Sequence, residues 1–171
     1  SNKLPLLAPA NIHEVLERVS QLVDMESQGS ITLLRDYDPS VPDVLIDREQ
    51  MIQAVLNIVR NAMQALADVN PPVNGLITLR SRALRQFTIG HVRHRLVCKV
   101  EIMDNGPGIP AELQETMFYP MVSGRADGTG LGLAITQNII SQHQGLIECE
   151  SHPGNTVFTL FLPLEQGAIN P

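Results

Sequence analysis

Over residues 75–103 apolar and polar side chains alternate with period two, clearest in Leu96, Cys98, Val100 and Ile102, and a turn is expected near Gly90. Alternation sustained for so long predicts an antiparallel hairpin with one buried face, and a buried sheet face needs other elements to cover it. The rest of the chain supplies that cover. Asn11 with Glu14 makes a capping-box pattern ahead of Ile12, Val15, Leu16, Val19, Leu22 and Val23, a helix reaching about Ser27. Asp47 with Gln50 opens a longer helix whose buried stripe is Ile52, Val55, Leu56, Val59, Ala62, Met63 and Leu66, stopped by Asn70-Pro71-Pro72. Residues 133–143 read as a helix closed by Gly145 as its C-terminal cap.

Short strands are expected at 31–37 and 44–46, and a second hairpin at 146–151 and 156–162 around His152-Pro153-Gly154-Asn155. Residues 111–117 suit a short helix, whereas 119–130 are polar, glycine-bearing and without period, as in a mobile loop. The expectation is an α+β fold: a two-layer α/β sandwich with one mixed, mostly antiparallel sheet and helices on one face. Residues 1–10 read as a linker rather than structure, 11–163 as one domain, and 164–171 as a flexible tail.

A chain of 171 residues with 43% hydrophobic content can bury one core and calls for one site. Its formal charge of −6 and pI near 5.3 argue against a nucleic-acid binder, since phosphate neutralisation needs a basic surface. Cys98 and Cys149, in apolar alternating runs, read as small buried hydrophobes of a reduced, cytoplasmic protein. No apolar stretch approaches the roughly 20 residues that a membrane crossing requires, so no membrane partner is expected.

Three segments carry chemistry. Asn57 and Asn61 lie four apart in the long helix, opposite its apolar stripe, with Gln53 and Gln64 near the same line. Two such amide oxygens can complete the shell of a Mg²⁺ already held by nucleotide phosphates, although an isolated pair would more often be a solvated face. Asp104-Asn105-Gly106-Pro107-Gly108-Ile109 follows a strand directly. Its carboxylate can accept from an amino group such as that of adenine while the glycines let backbone approach a flat ring; alone it would be an ordinary turn. Gly128-Thr129-Gly130-Leu131-Gly132-Leu133 runs into a helix start, where backbone N–H groups can face phosphate, and alone it would pass for a hinge. It lacks the Gly-Lys-Ser/Thr of the Walker sequence, and its glycines follow a loop rather than a strand.

Together with Phe118-Tyr119-Pro120, and with Asn57-Ile58-Val59-Arg60-Asn61-Ala62 as the first box, these segments resemble in order and spacing the N, G1, F and G2 boxes of bacterial sensor histidine kinases. The likeness extends over about 11–163. Phe118 to Arg125 is similar to the corresponding stretch of nitrogen-regulation sensor kinases. The resemblance implies the left-handed βαβ nucleotide fold shared with gyrase, heat-shock chaperone and mismatch-repair ATPases, with ATP and Mg²⁺ as ligands. It implies that Asn57 and Asn61 hold the metal and that Asp104 bonds the adenine amino group. Gly106, Gly108 and Ile109 would shape the base pocket. Gly128, Thr129, Gly130, Leu131, Gly132 and Leu133 would line the phosphates under a lid that starts near Phe118, and Arg125 would reach the terminal phosphate.

One departure separates subfamilies: the ATPase relatives carry a water-activating Glu where this chain has Asn57, which cannot accept a proton. Slow hydrolysis and transfer to a nucleophile on another domain are therefore expected. His13-Glu14 imitates a phosphoacceptor, but Val15-Leu16-Glu17-Arg18 does not continue that pattern, so His13 is expected to be an exposed helix residue and the acceptor to lie elsewhere. His143 is expected at a helix C-terminus, and His91 and His94 exposed beside a turn. Arg80, Arg82, Arg85, Arg93, Arg95 and Lys99 concentrate half of the twelve basic residues in the long hairpin, a solvated face or a dock for an acidic partner. The expected partners are the kinase's own dimerisation and phosphoacceptor domain, a response regulator and a PII-type signal protein; by itself the domain is expected to be a monomer. A clamp-type ATPase, or a regulatory nucleotide-binding module without catalysis, are the alternatives.

Overall fold

The computed structural model describes residues 3–119 and 132–164. Helix α1 (Ile12–Ser27) begins where the Asn11 side chain accepts from the His13 amide at 2.9 Å. Glu14 does not return the cap and instead pairs with Arg48 at 2.7 Å. Helix α2 (Arg48–Ala67) starts on Asp47, whose carboxylate accepts from the Gln50 amide at 3.1 Å. Between them, strands β2 (Ile31–Asp36) and β3 (Val44–Ile46) form as expected.

The long hairpin is β4 (Gly75–Ile89) and β5 (Val92–Asp104), in register from Ile77 opposite Asp104 to Ile89 opposite Val92. A short helix α3 (Ala111–Thr116) follows, then α4 (Leu133–Gln142), β6 (Leu146–His152) and β7 (Asn155–Pro163). The main sheet has the order β2-β4-β5-β7-β6; β2 runs parallel to β4 and every other pair is antiparallel. Val15, Val19, Val55, Val59 and Ile140 from the helices pack against Ile77, Leu79, Val100, Ile102 and Leu160 of one sheet face. This is the expected two-layer α+β sandwich.

Several local expectations are corrected. Ala8–Ala10, read as linker, form strand β1 and pair antiparallel with β3; three small residues leave no period to detect. Asn57 and Asn61 are half-buried rather than opposite the buried stripe, because α2 is flanked by both α1 and α4 and also buries Met51, Ala54 and Ile58. His13 is half-buried, stacked on Tyr37 at 4.7 Å with Nε2 2.7 Å from Ser81 Oγ. His94 is buried in register with Phe87, where the hairpin end lets Phe87 stack on Phe161 at 4.4 Å. At the end of α4 the left-handed residue is Gln144, not Gly145. Gly145 donates to Ile140 O at 2.9 Å and Gln144 to Ser141 O at 2.9 Å, the paired bonds of a Schellman motif. Glycine is required at 145 for space, since a Cβ would lie 2.6 Å from Phe161 O. The loop expected at 119–130 and the tail fall almost wholly outside the described residues. No helix among the described residues is long and apolar enough to cross a membrane.

Candidate functional site

Strand β5 delivers Asp104 at the edge of the helical layer, where only 8% of the residue is exposed. Burial holds its carboxyl above the usual carboxylate range, partly opposed by the Gly106 amide, which donates to Oδ1 at 2.9 Å. A buried carboxylate of this kind is most comfortable with a ligand donor. At Gly106 a Cβ would sit 2.9 Å from that oxygen, so a side chain there would displace the carboxylate. Asn105 secures the strand end from the other side: Oδ1 accepts from Leu76 N at 2.8 Å and Nδ2 donates to Asn74 O at 2.9 Å.

The loop continues to Ile109 against the turn of the β6–β7 hairpin. Gly108 has φ +90, and a Cβ would lie 3.1 Å from the backbone of His152 and Pro153. Opposite this loop is the C-terminal end of α2. A cleft of about 710 Å³ separates them, lined by Ala65, Asp68 and Val69 on one wall and Pro107, Gly108 and Ile109 on the other. Asn57, Asn61 and Ala65 are successive i+4 positions, so the two amides lie on the helix stripe that leads into this cleft, although neither they nor Asp104 line it. Phe118 packs against the core, edge-on to Phe158 at 6.4 Å.

Helix α4 begins at Gly132, with φ +60, and buries Leu133 completely against the core beside α2. Arg125, Gly128, Thr129, Gly130 and Leu131 lie outside the described residues. Among the described residues no group of three or more His, Cys, Asp and Glu could hold a metal, so a cation at α2 would rest on neutral amide oxygens together with oxygens of its ligand. That donor set suits Mg²⁺ arriving with a polyphosphate.

His143 sits at a helix C-terminus as expected, but its role was not foreseen. It is fully buried, and Nε2 accepts from the Asp47 amide at 3.0 Å while Nδ1 donates to Ile139 O at 2.8 Å. Burial lowers its pKa, so it is a neutral connector between the end of α4 and the start of α2 rather than a cation facing a helix dipole. The basic hairpin also differs from expectation at its base. Arg80 and Arg82 share the Asp36 carboxylate at 2.8 and 3.0 Å, while Arg85, Arg93 and Arg95 are exposed further along. A carboxylate on the neighbouring parallel strand could not be foreseen from the hairpin's own composition.

Residues 46–166 match the family of histidine kinase-, DNA gyrase B-, and HSP90-like ATPases. Sensory histidine kinase/phosphatase NtrB of Vibrio alginolyticus is 56% identical over 154 residues, 90% of this chain and 43% of that protein. The chain thus spans less than half the length of the curated relatives it matches. The catalytic domain of histidine kinase ThkA superposes with a TM-score of 0.75 at 28% identity, over 92% of this chain and 95% of that one. ThkA in complex with the response regulator protein TrrA matches with a TM-score of 0.71 at 25% identity, over 93% of this chain and 42% of that chain.

Proposed function

Because the chain belongs to the family of histidine kinase-, DNA gyrase B-, and HSP90-like ATPases, we propose that it is the catalytic domain of a two-component sensor kinase of the nitrogen-regulation type. It binds Mg-ATP and passes the γ-phosphoryl group to a histidine on a separate dimerisation domain. The observation that carries this reading is the meeting of two walls. The glycine loop that follows a buried carboxylate faces, across a cleft, the end of the helix stripe on which Asn57 and Asn61 lie.

Asp104 accepts from the adenine amino group, and Gly106, Gly108 and Ile109 form the base-side wall, closed by Phe118. Asn57 and Asn61 would offer amide oxygens to Mg²⁺, which would supply charge neutralisation when bound with the nucleotide. Gly128, Thr129, Gly130, Leu131, Gly132 and Leu133 bring backbone N–H groups and a helix start to the phosphates, and Arg125 reaches the terminal one. Asn57 cannot take a proton from water, so hydrolysis is slow while transfer to an already nucleophilic imidazole needs only alignment.

Residues 11–163 constitute the catalytic domain, joined to β1 at its entry; 1–7 act as linker and 164–171 as tail. In the whole protein this domain works with the phosphoacceptor domain and a response regulator, in the cytoplasm, and by itself it is a monomer. The exposed Arg85, Arg93 and Arg95 give an acidic partner, such as a PII-type protein, a surface to engage. Mixing the chain with a separately made dimerisation domain and labelled ATP is expected to yield phosphohistidine. No phosphohistidine with an acceptor that a related kinase does phosphorylate would reject this function.

A further inference from the structure

Beyond the Asp104–Gly106 contact, the loop that carries Gly106, Gly108 and Ile109 is held by Gln114 Nε2, which donates to Ile109 O at 2.7 Å, and by the tip of the β6–β7 hairpin. Gly154 donates its amide to Gly106 O at 2.8 Å. The Ile109 amide donates to Ser151 Oγ at 2.8 Å, and Ser151 Oγ shares a further hydrogen bond with Thr156 Oγ1 at 2.7 Å. Between these two anchors Gly108, at φ +90, lies against the His152 and Pro153 backbone, where a Cβ would be only 3.1 Å away. The tip is a tight turn: Pro153 followed by Gly154 with φ +88 has the pattern of a type II turn, with Ser151 and Thr156 in direct register behind it.

Of these contacts, only Ser151 joins the loop to the hairpin through a side chain. From this geometry we infer that Ser151 is a positioning residue for base recognition, fixing the Ile109 end of the loop so that the base-side wall keeps its shape opposite Ala65. The inference rests on the proposed function, in which this loop receives adenine. Ser151 borders the cleft, but its hydroxyl is committed to the loop backbone and to Thr156, and the residue is half-buried near the end of β6, whose backbone pairing with β7 does not use that hydroxyl. Its hydroxyl therefore acts on the loop more than on the fold. A loosened loop would blur the distinction between a base with an amino group facing Asp104 and one with a carbonyl there, so discrimination should fall along with affinity.

The test is calorimetric titration of the full chain and of its Ser151→Ala, Ser151→Cys and Ser151→Thr variants with the Mg²⁺ complexes of a non-hydrolysable ATP analogue and of its GTP counterpart. Loss of one hydrogen bond to a partly buried amide predicts about a fivefold to tenfold rise in Kd for the ATP analogue in the Ala and Cys variants. The ATP-to-GTP preference should narrow, and Thr should restore both. The Ile109 amide should exchange with solvent at least about fivefold faster in the Ala variant without nucleotide, while the β5–β7 ladder keeps its protection. Should Ser151→Ala fail to fold, the same readings on Ser151→Cys decide. Parental affinity and preference in the Ala and Cys variants would overturn the inference while leaving the proposed function intact. Equal loss for both nucleotides with faster exchange throughout the ladder would also overturn it. A parent chain that binds neither analogue would overturn the proposed function and this inference together.

Discussion

Replacing His143 by Gln separates a neutral buried connector from a charged helix cap. The Asp47 amide can only donate, so Nε2 must accept and the proton must sit on Nδ1, where it bonds Ile139 O. A second proton on Nε2 would face an N–H at 3.0 Å inside the core. The folded-state pKa is lowered by burial from 6.5, against weaker opposing effects of Ile139 O and Asp47. The stabilisation is therefore complete above the unfolded value and is lost as the pH falls from there towards the folded one. Within that window the unfolded chain binds one more proton at this site, a slope of at most about 1.4 kcal/mol per pH unit.

His13 is lowered in the same direction, again chiefly by burial, and adds a second share, whereas Asp104, raised by burial, contributes in the opposite sense at acid pH. Only the difference between parent and variant isolates His143. Gln keeps an acceptor for Asp47 but not the bond to Ile139, so the variant should be about 1–3 kcal/mol less stable at pH 7.5. Urea unfolding between pH 7.5 and 5 is expected to show that this gap closes as the pH drops below 6.5. A constant gap across that range would refute the neutral-connector assignment.

Asp104→Asn is expected to raise the Kd for Mg-ATP at least about tenfold in calorimetry, since an amide cannot replace a carboxylate that accepts from Gly106 and, in the proposed site, from the base amino group as well. Gly108→Ala combines a left-handed φ with a backbone clash at 3.1 Å, and should cost about 1–3 kcal/mol in urea unfolding as well as nucleotide affinity. Asn61→Asp should alter the Mg²⁺ dependence of nucleotide binding, read as a shift in apparent metal affinity at fixed ATP analogue; unchanged dependence would remove Asn61 from the metal site. Leu160→Ala, fully buried at the centre of the sheet face, should destabilise by about 2–5 kcal/mol without changing the ATP-to-GTP preference of the folded fraction.

Periodicity revealed the layers because their cause is local: Leu96, Cys98, Val100 and Ile102 alternate as β5 demands, and the Asp47 cap announces α2. The left-handed Gln144 was masked by a neighbouring glycine that is needed for a different reason, the approach of Phe161 O. The loop after β5 was legible as Asp104 followed by two glycines, but its support was not. Ser151 lies 42 residues from Ile109, and nothing in either segment names the other. Likewise the half-buried state of Asn57 and Asn61 depends on α4 arriving from 80 residues downstream to cover the neighbouring face of α2. Contacts between elements distant in sequence decide burial, and a helix's own pattern reports only the face it would bury alone.

Asp47 shows how such contacts concentrate. One carboxylate oxygen caps α2 through the Gln50 amide, and the other accepts from the Leu6 amide at 2.9 Å just ahead of β1. Its own N–H is given to His143 at the end of α4. The chain entering the domain, the helix bearing the two asparagines and the helix that starts at Gly132 are therefore referred to one residue. Its carboxyl, although raised by burial, is lowered overall by the Leu6 and Gln50 amides, as an ionised group accepting from both requires. A pull on the entering strand loads the Leu6 bond at Asp47 together with the bond from Gln50 Nε2 to Lys3 O and the pairing of β1 with β3. Asp47→Ala removes the acceptor for Leu6 and the cap but leaves the backbone N–H for His143. It should therefore fray β1 and the first turn of α2 in amide exchange while the His143 connection persists, and loss of protection at α4 to the same degree would show that the three links do not separate.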